Sequence, residues 1–102
     1  IQREAENILP KIKGVCVPLC VEGKQLSSEE LAEFINKISV EGNSHICFVI
    51  GGSQGLDDRI KNIGKLKLSF SKMTFPHQLM RVVLTEQIYR AFKIINNENY
   101  HK

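Results

Sequence analysis

Residues 66–93, LKLSFSKMTFPHQLMRVVLTEQIYRAFK, restrict the possible folds more than any other stretch of the chain. Leu66, Leu68 and Phe70 alternate with polar neighbours, which is the two-residue period of a strand. A polar loop over 71–77, with Pro76 near its end, then opens straight into a long apolar helix. Ligands in open α/β sheets settle at the carboxyl ends of strands, so this junction is a natural site. In the helix, Leu79, Met80, Val82, Val83 and Leu84 leave almost no polar face in the first turns. Such a helix demands cover, which predicts packing against a partner chain. Loop and helix are read together as site and interface.

Ahead of this stretch, strands and helices alternate. The first residue is Ile1 rather than Met, and residues 1–13, with Ala5, Ile8, Leu9 and Ile12, read as the tail of a helix. The chain is therefore expected to be the remainder of something longer. After Gly14, VCVPLCV (15–21) reads as a strand whose near-continuous apolarity suits cover on both faces. Pro18 cannot donate to a ladder and argues for an edge, an end or a bulge. Glu22, Gly23 and Lys24 read as a turn. Ser27 and Glu30 have the spacing of a capping box at the start of a helix over 27–41. Leu31, Phe34, Ile35 and Ile38 give that helix one apolar stripe, and Gly42 stops it. HICFVI (45–50) is the next buried strand, followed by GGSQG and a short helix over 56–63 ended by Gly64. The pattern predicts a single α/β domain over 1–102 with a mostly parallel sheet.

Composition narrows the function less than the pattern narrows the fold. No apolar run is long enough to span a bilayer. The net charge of +3 is unevenly spread: residues 1–50 carry five Lys/Arg against seven Asp/Glu, and residues 51–102 carry nine against four. A basic half permits contact with phosphate-rich partners, although a solvated face rich in lysine gives the same composition. Cys16, Cys20 and Cys47 lack metal or redox spacing, and each falls in an apolar run, so they read as reduced buried thiols. Reduced thiols fit a cytoplasmic setting, and no metal site is expected.

Three readings compete at residues 51–55. After a strand, GGSQG lets backbone amides approach a ligand, but it lacks the dinucleotide-binding spacing. As G-x-S-x-G it matches a hydrolase nucleophile elbow, with Ser53 as nucleophile and His77 or His101 as base. Asp57 and Asp58 lie only one turn further on, where such enzymes do not place their acid, and the chain is short for that fold. A bare tight turn is the third reading. His77 suits a helix start as well as a base. Glu86 and Arg90 are spaced as an i, i+4 pair. Lys72 and Arg81 flank the loop, where they serve equally as surface charges or phosphate contacts. Tyr100 and His101 lie in a tail that either stays loose or folds over a pocket to stack on a base.

FVIGGSQGL (48–56), LSFSKMTFPHQLMRVVLTEQIYRAFKI (68–94) and the ending YHK together resemble the ribosomal RNA large-subunit methyltransferase H family. These are small SPOUT-class enzymes, and the resemblance runs over essentially the whole chain. It implies an α/β sheet flanked by helices whose C-terminal segment forms a trefoil knot, an exception to the rule against threaded connections. It also implies methylation of the imide nitrogen of a pseudouridine in large-subunit ribosomal RNA, in the assembled ribosome, with S-adenosylmethionine as cofactor. Cofactor contacts carried over by position are Leu19, Gly51, Phe70, Ser71, Lys72, Met73, Thr74 and Phe75. The family acts as a homodimer packed through the long helix, here residues 78–95. It normally begins with a strand, a helix and a second strand that are expected to be missing here.

The implied chemistry suits the loop. A methyl sulfonium needs an apolar, shaped cavity, with backbone groups for the adenine edge. Transfer is an in-line displacement, so placing the nucleophilic nitrogen is most of catalysis. That nitrogen must also lose its proton. On this reading His101 and Tyr100 serve the substrate side, and Arg81 stabilises negative charge or holds phosphate. A non-catalytic RNA-binding module and a small serine hydrolase using Ser53 are the alternatives.

Overall fold

The computed structural model of the chain describes residues 14–51 and 58–98. Among the described residues three parallel strands make one sheet in the order β2-β1-β3, with β1 at Val15–Gln25, β2 at Ile46–Ile50 and β3 at Leu68–Ser69. Helices α1 (Ser28–Val40), α2 (Asp58–Asn62) and α3 (His77–Ile95) follow the three strands in turn. Strand alternating with helix gives the parallel α/β sheet that the sequence predicts.

Strands β1 and β2 pair without a break from Val15 opposite Ile46 to Leu19 opposite Ile50. Val17, Leu31, Ala32, Ile35, Leu68 and Ala91 form the buried centre, joining β1 and β3 to α1 and α3. Cys16 and Pro18 alternate with these on β1 and are buried too, so the central strand is covered on both faces as its apolarity requires. Helix α1 opens with the expected capping box. The Glu30 amide donates to Ser27 Oγ (3.0 Å), and the Ser27 amide donates to Glu30 Oε1 (2.8 Å). A cap of this kind is worth about 1 kcal/mol. Leu31, Ile35 and Ile38 bury the predicted stripe. The Ser28 hydroxyl donates to Gln87 Oε1 (2.6 Å), which links α1 to α3.

Pro18 lies in the middle of the central strand, not on an edge. Successive strand residues direct their backbone groups to opposite neighbours. The Val15 amide donates to the His45 carbonyl, whereas the Cys16 carbonyl accepts from the Lys65 amide. Pro18 shares the orientation of Cys16, so its missing N–H faces residues 64–66 and interrupts no bond to β2. A Cβ on Gly64 would lie 2.4 Å from Pro18 Cδ, so the ring occupies space that only glycine leaves open. Just beyond it the register with β3 shifts, Leu68 pairing with both Leu19 and Lys24. The expectation of a bulge holds on that side.

That shift corrects two boundaries. The segment Glu22, Gly23 and Lys24 is not a turn, because β1 continues through it to Gln25. The Lys24 amide donates to the Lys67 carbonyl at 2.8 Å, and a Cβ on Gly23 would come within 2.8 Å of the same peptide unit. Glycine here permits close approach of two backbones rather than reversal of the chain. The strand read from Leu66, Leu68 and Phe70 shrinks to Leu68–Ser69.

Helix α3 buries Leu84 and Ala91 within the chain but leaves Leu79, Val82, Tyr89 and Phe92 exposed. All three cysteines are free thiols. Burial, and then neighbouring Cys47, push the Cys16 thiol above its ordinary range, so it stays neutral. The predicted opening helix over 1–13 lies outside the described residues.

Candidate functional site

The ends of β2 and β3 and the middle of β1 open on one cleft of about 570 Å³, within the roughly 300–1,000 Å³ of small-molecule sites. Its floor and walls include Leu19 from β1, Ile50 and Gly51 from the end of β2, and Leu68 to Ser71 from β3 onward. Met73, Thr74 and Phe75 of the following loop close one side, together with Pro76, His77 and Met80 at the start of α3. The structure thus gathers Leu19, Gly51, Phe70, Ser71, Met73, Thr74 and Phe75 around one space, from three separated parts of the chain. Lys72 is exposed and does not line the cleft.

The loop is shaped by its own hydroxyls. Ser69 Oγ donates to the Ser71 carbonyl, and Ser71 Oγ accepts from the Met73 amide, both at 2.9 Å. These short bonds hold the chain in a turn while it leaves the sheet. Pro76 then caps α3 without a side-chain bond, its fixed φ leading into the first helical turn. His77 does not cap the helix. Its Nδ1 lies 2.9 Å from the Gly51 carbonyl, which can only accept, so Nδ1 carries the proton and donates. This bond fastens the start of α3 to the end of β2, the two sides of the cleft.

Four further residues line the cleft that the sequence had not singled out as site residues: Cys20, Val21, Glu22 and Lys61. Lys61 Nζ on α2 donates to Glu22 Oε1 at 2.5 Å. That bond is the main reason the Glu22 carboxyl sits below its ordinary pKa and the Lys61 ammonium above its own. Burial, and secondarily the Glu22 charge, raise the Cys20 thiol, so it is neutral too. Glu22 had one sequence signal, an acid directly after an apolar strand where a site is expected. Its apparent place in a turn hid it.

Arg81 is not part of this cleft. It lies on the exposed face of α3 with Gln78, Val82, Thr85, Glu86 and Tyr89, around a shallow second depression. Arg90 Nη2 and Glu86 Oε1 on the same helix form the expected i, i+4 pair at 2.9 Å. Ser53, Asp57, Tyr100 and His101 lie outside the described residues.

Among the described residues no three His, Cys, Asp or Glu side chains gather in a metal-binding group. Among the described residues, the cleft's polar groups are main-chain groups, the Ser69, Ser71 and Thr74 hydroxyls, the Cys20 thiol, the His77 imidazole and the paired Glu22 and Lys61, set between apolar walls. That set suits a flat heteroaromatic ring with apolar attachments better than a polyphosphate, which would need unpaired cations.

Comparison with known proteins identifies the family. A sequence model described as "Predicted SPOUT methyltransferase" matches residues 1–101. A protein of Methanococcus maripaludis is 56% identical over 104 residues, covering 100% of this chain and 65% of its own length. The ribosomal RNA large subunit methyltransferase H of Bacillus pumilus is 55% identical over 102 residues, covering 98% of this chain and 64% of its own. That of Clostridioides difficile is 53% identical over the same length, with the same coverage. The chain therefore spans about 65% of the length of the curated relatives it matches. With the family model covering nearly every residue, the chain belongs to the SPOUT methyltransferase family.

Proposed function

We propose that this chain carries the S-adenosylmethionine site of an enzyme that methylates the imide nitrogen of a pseudouridine in large-subunit ribosomal RNA. One observation carries the reading: Leu19, Gly51 and the loop residues Phe70, Ser71, Met73, Thr74 and Phe75, assigned to the cofactor by resemblance alone, surround a single cleft at the strand ends. The cofactor supplies an electrophilic methyl group. The apolar walls exclude water around it, and the loop's main-chain groups are available to the adenine edge. Lys72, exposed beside the loop, is better suited to ribosomal RNA than to the cofactor. The C-terminal trefoil knot that the resemblance implies belongs to this proposal, as does the cytoplasmic setting in which ribosomes are found.

On the substrate side, Tyr100 stacks on the target base, His101 accepts the proton of the imide nitrogen, and Arg81 meets negative charge. Arg81 stands on the α3 face that also exposes Val82 and Tyr89. A homodimer packed through residues 78–95 covers those apolar side chains and brings Arg81 to the interface. Val82→Asp puts a charge into that contact and is expected to yield a folded monomer by light scattering after gel filtration. A dimer that survives the change would mean α3 is not the interface.

The function is tested by incubating ribosomal large subunits carrying unmethylated pseudouridine with the chain and methyl-labelled S-adenosylmethionine. Label is expected in the ribosomal RNA, and it should fall sharply with His101→Ala. An RNA-binding module would instead bind RNA with steep salt dependence and transfer nothing. A serine hydrolase would react with a fluorophosphonate at Ser53. Either of those results without methyl transfer would overturn the proposal.

A further inference from the structure

Glu22 is the only carboxylate side chain among the described residues of the cleft. Nothing in the family resemblance assigned it a role. It stands on β1 three residues beyond Leu19, where the fully buried part of the strand ends, and its side chain is 59% exposed. Its backbone is not free to drift. The next two residues run against the 67–68 peptide, with Gly23 in close approach and the Lys24 amide bonded to the Lys67 carbonyl at 2.8 Å. Lys61, on α2 across the cleft rim, takes one of its oxygens.

We propose that Glu22 receives the ribose hydroxyls of the bound nucleoside, with Lys61 holding the carboxylate in position. This rests on the reading of the cleft as an S-adenosylmethionine site. The chemistry selects the ribose over the other polar end of that ligand. A carboxylate offers about four lone-pair sites, and one bond from Lys61 leaves capacity for two hydroxyl donors. Ribose hydroxyls are neutral donors, and an acidic side chain near a strand end is how many nucleotide sites hold them. The amino-acid end carries an ammonium, which needs an anion with uncompensated charge. Glu22 is already neutralised by Lys61, whose own ammonium would repel a second one. The surrounding groups agree: Ile50, Phe70 and Met80 are apolar, as a nucleoside base requires, and no other acid lies among them. Cys20, the remaining polar side chain on this strand end, is a neutral thiol and a weak donor.

An isolated surface ion pair of this kind contributes little to stability, so substituting it leaves the fold intact. Titration calorimetry on the wild-type chain, Glu22→Gln and Lys61→Met separates the possibilities, with circular dichroism confirming that each is folded. S-adenosylmethionine, S-adenosylhomocysteine and the 2′-deoxy and 3′-deoxy forms of the latter are the ligands. Glu22→Gln is expected to bind S-adenosylmethionine roughly 10- to 100-fold more weakly, the scale of a charged hydrogen bond. The wild type should disfavour at least one deoxy ligand by a similar factor, and Glu22→Gln should lose that discrimination, the two losses failing to add. Lys61→Met should weaken binding less while keeping the discrimination. If Glu22→Gln binds S-adenosylmethionine as tightly as the wild type, or still rejects the deoxy ligands, the assignment of Glu22 is wrong. A folded wild type that binds none of these ligands overturns the cofactor reading itself, and this inference with it.

Discussion

Replacing Gly51 with arginine is expected to abolish S-adenosylmethionine binding, weakening it by at least about 100-fold, or roughly 2.7 kcal/mol. Gly51 stands where β2 ends, on the wall of the cleft, and its carbonyl accepts the His77 imidazole at 2.9 Å. A glycine at that point leaves the cleft's full width to the ligand. An arginine side chain would occupy volume the nucleoside needs, and among the described residues the only acid lining the cleft is Glu22, already bound to Lys61. Because the backbone carbonyl is unchanged, the His77 bond survives and the sheet should still form. Calorimetry with a thermal melt of the same sample checks both parts. Binding retained by a folded Gly51→Arg chain would mean that the cofactor does not lie against the end of β2.

The second large effect is on stability. Leu68→Ala should lower the free energy of unfolding by about 2–5 kcal/mol, against the roughly 5–15 kcal/mol available to a whole domain. Leu68 is 1% exposed and belongs to the buried centre with Val17, Leu31, Ala32, Ile35 and Ala91. It is also the residue at which the register of β1 against β3 shifts, since it pairs with both Leu19 and Lys24. Little around it can close the gap: β1 is bonded on both sides, and α1 and α3 are tied by Ser28 and Gln87. Urea unfolding followed by circular dichroism measures the loss. The site should suffer with it, because Leu68 is part of the cleft floor and precedes the loop of Phe70 to Phe75. A loss under about 1 kcal/mol would contradict the packing described here.

Much of this architecture is legible in the residues because local chemistry and tertiary packing ask for the same thing. Ser27 and Glu30 cap α1 by their own bonds, and the stripe of Leu31, Ile35 and Ile38 needs only a sheet to face. The run VCVPLC is buried on both faces as its apolarity asks, whereas ICFVI, read as a buried strand, lies at the sheet edge and buries only Val49. The order of strand, loop and α3 points to the cleft that these elements line.

What stayed hidden depends on pairs of segments that no local pattern connects. Gly23 looks like a turn residue, yet it serves a close crossing with Lys67 that extends β1 through Gln25. Pro18 looks unfit for a central strand, and its tolerance comes from Gly64, far away in sequence. Glu22 and Lys61 meet across 39 positions, so neither could be assigned to the cleft beforehand. Arg81 has a position that sequence distance does not show. It sits near the loop in sequence, but the helical turn carries it to the outer face of α3, away from the cleft of its own chain. The resemblance to known methyltransferases supplied the cofactor, which periodicity and spacing do not encode.

The most direct test of the whole account is calorimetric titration of the 102-residue chain with S-adenosylmethionine. The account predicts saturable binding at one site per chain, lost in Gly51→Arg and weakened in Glu22→Gln. A folded chain that shows no heat of binding at any accessible concentration would contradict it, and the cleft at the strand ends would need another ligand.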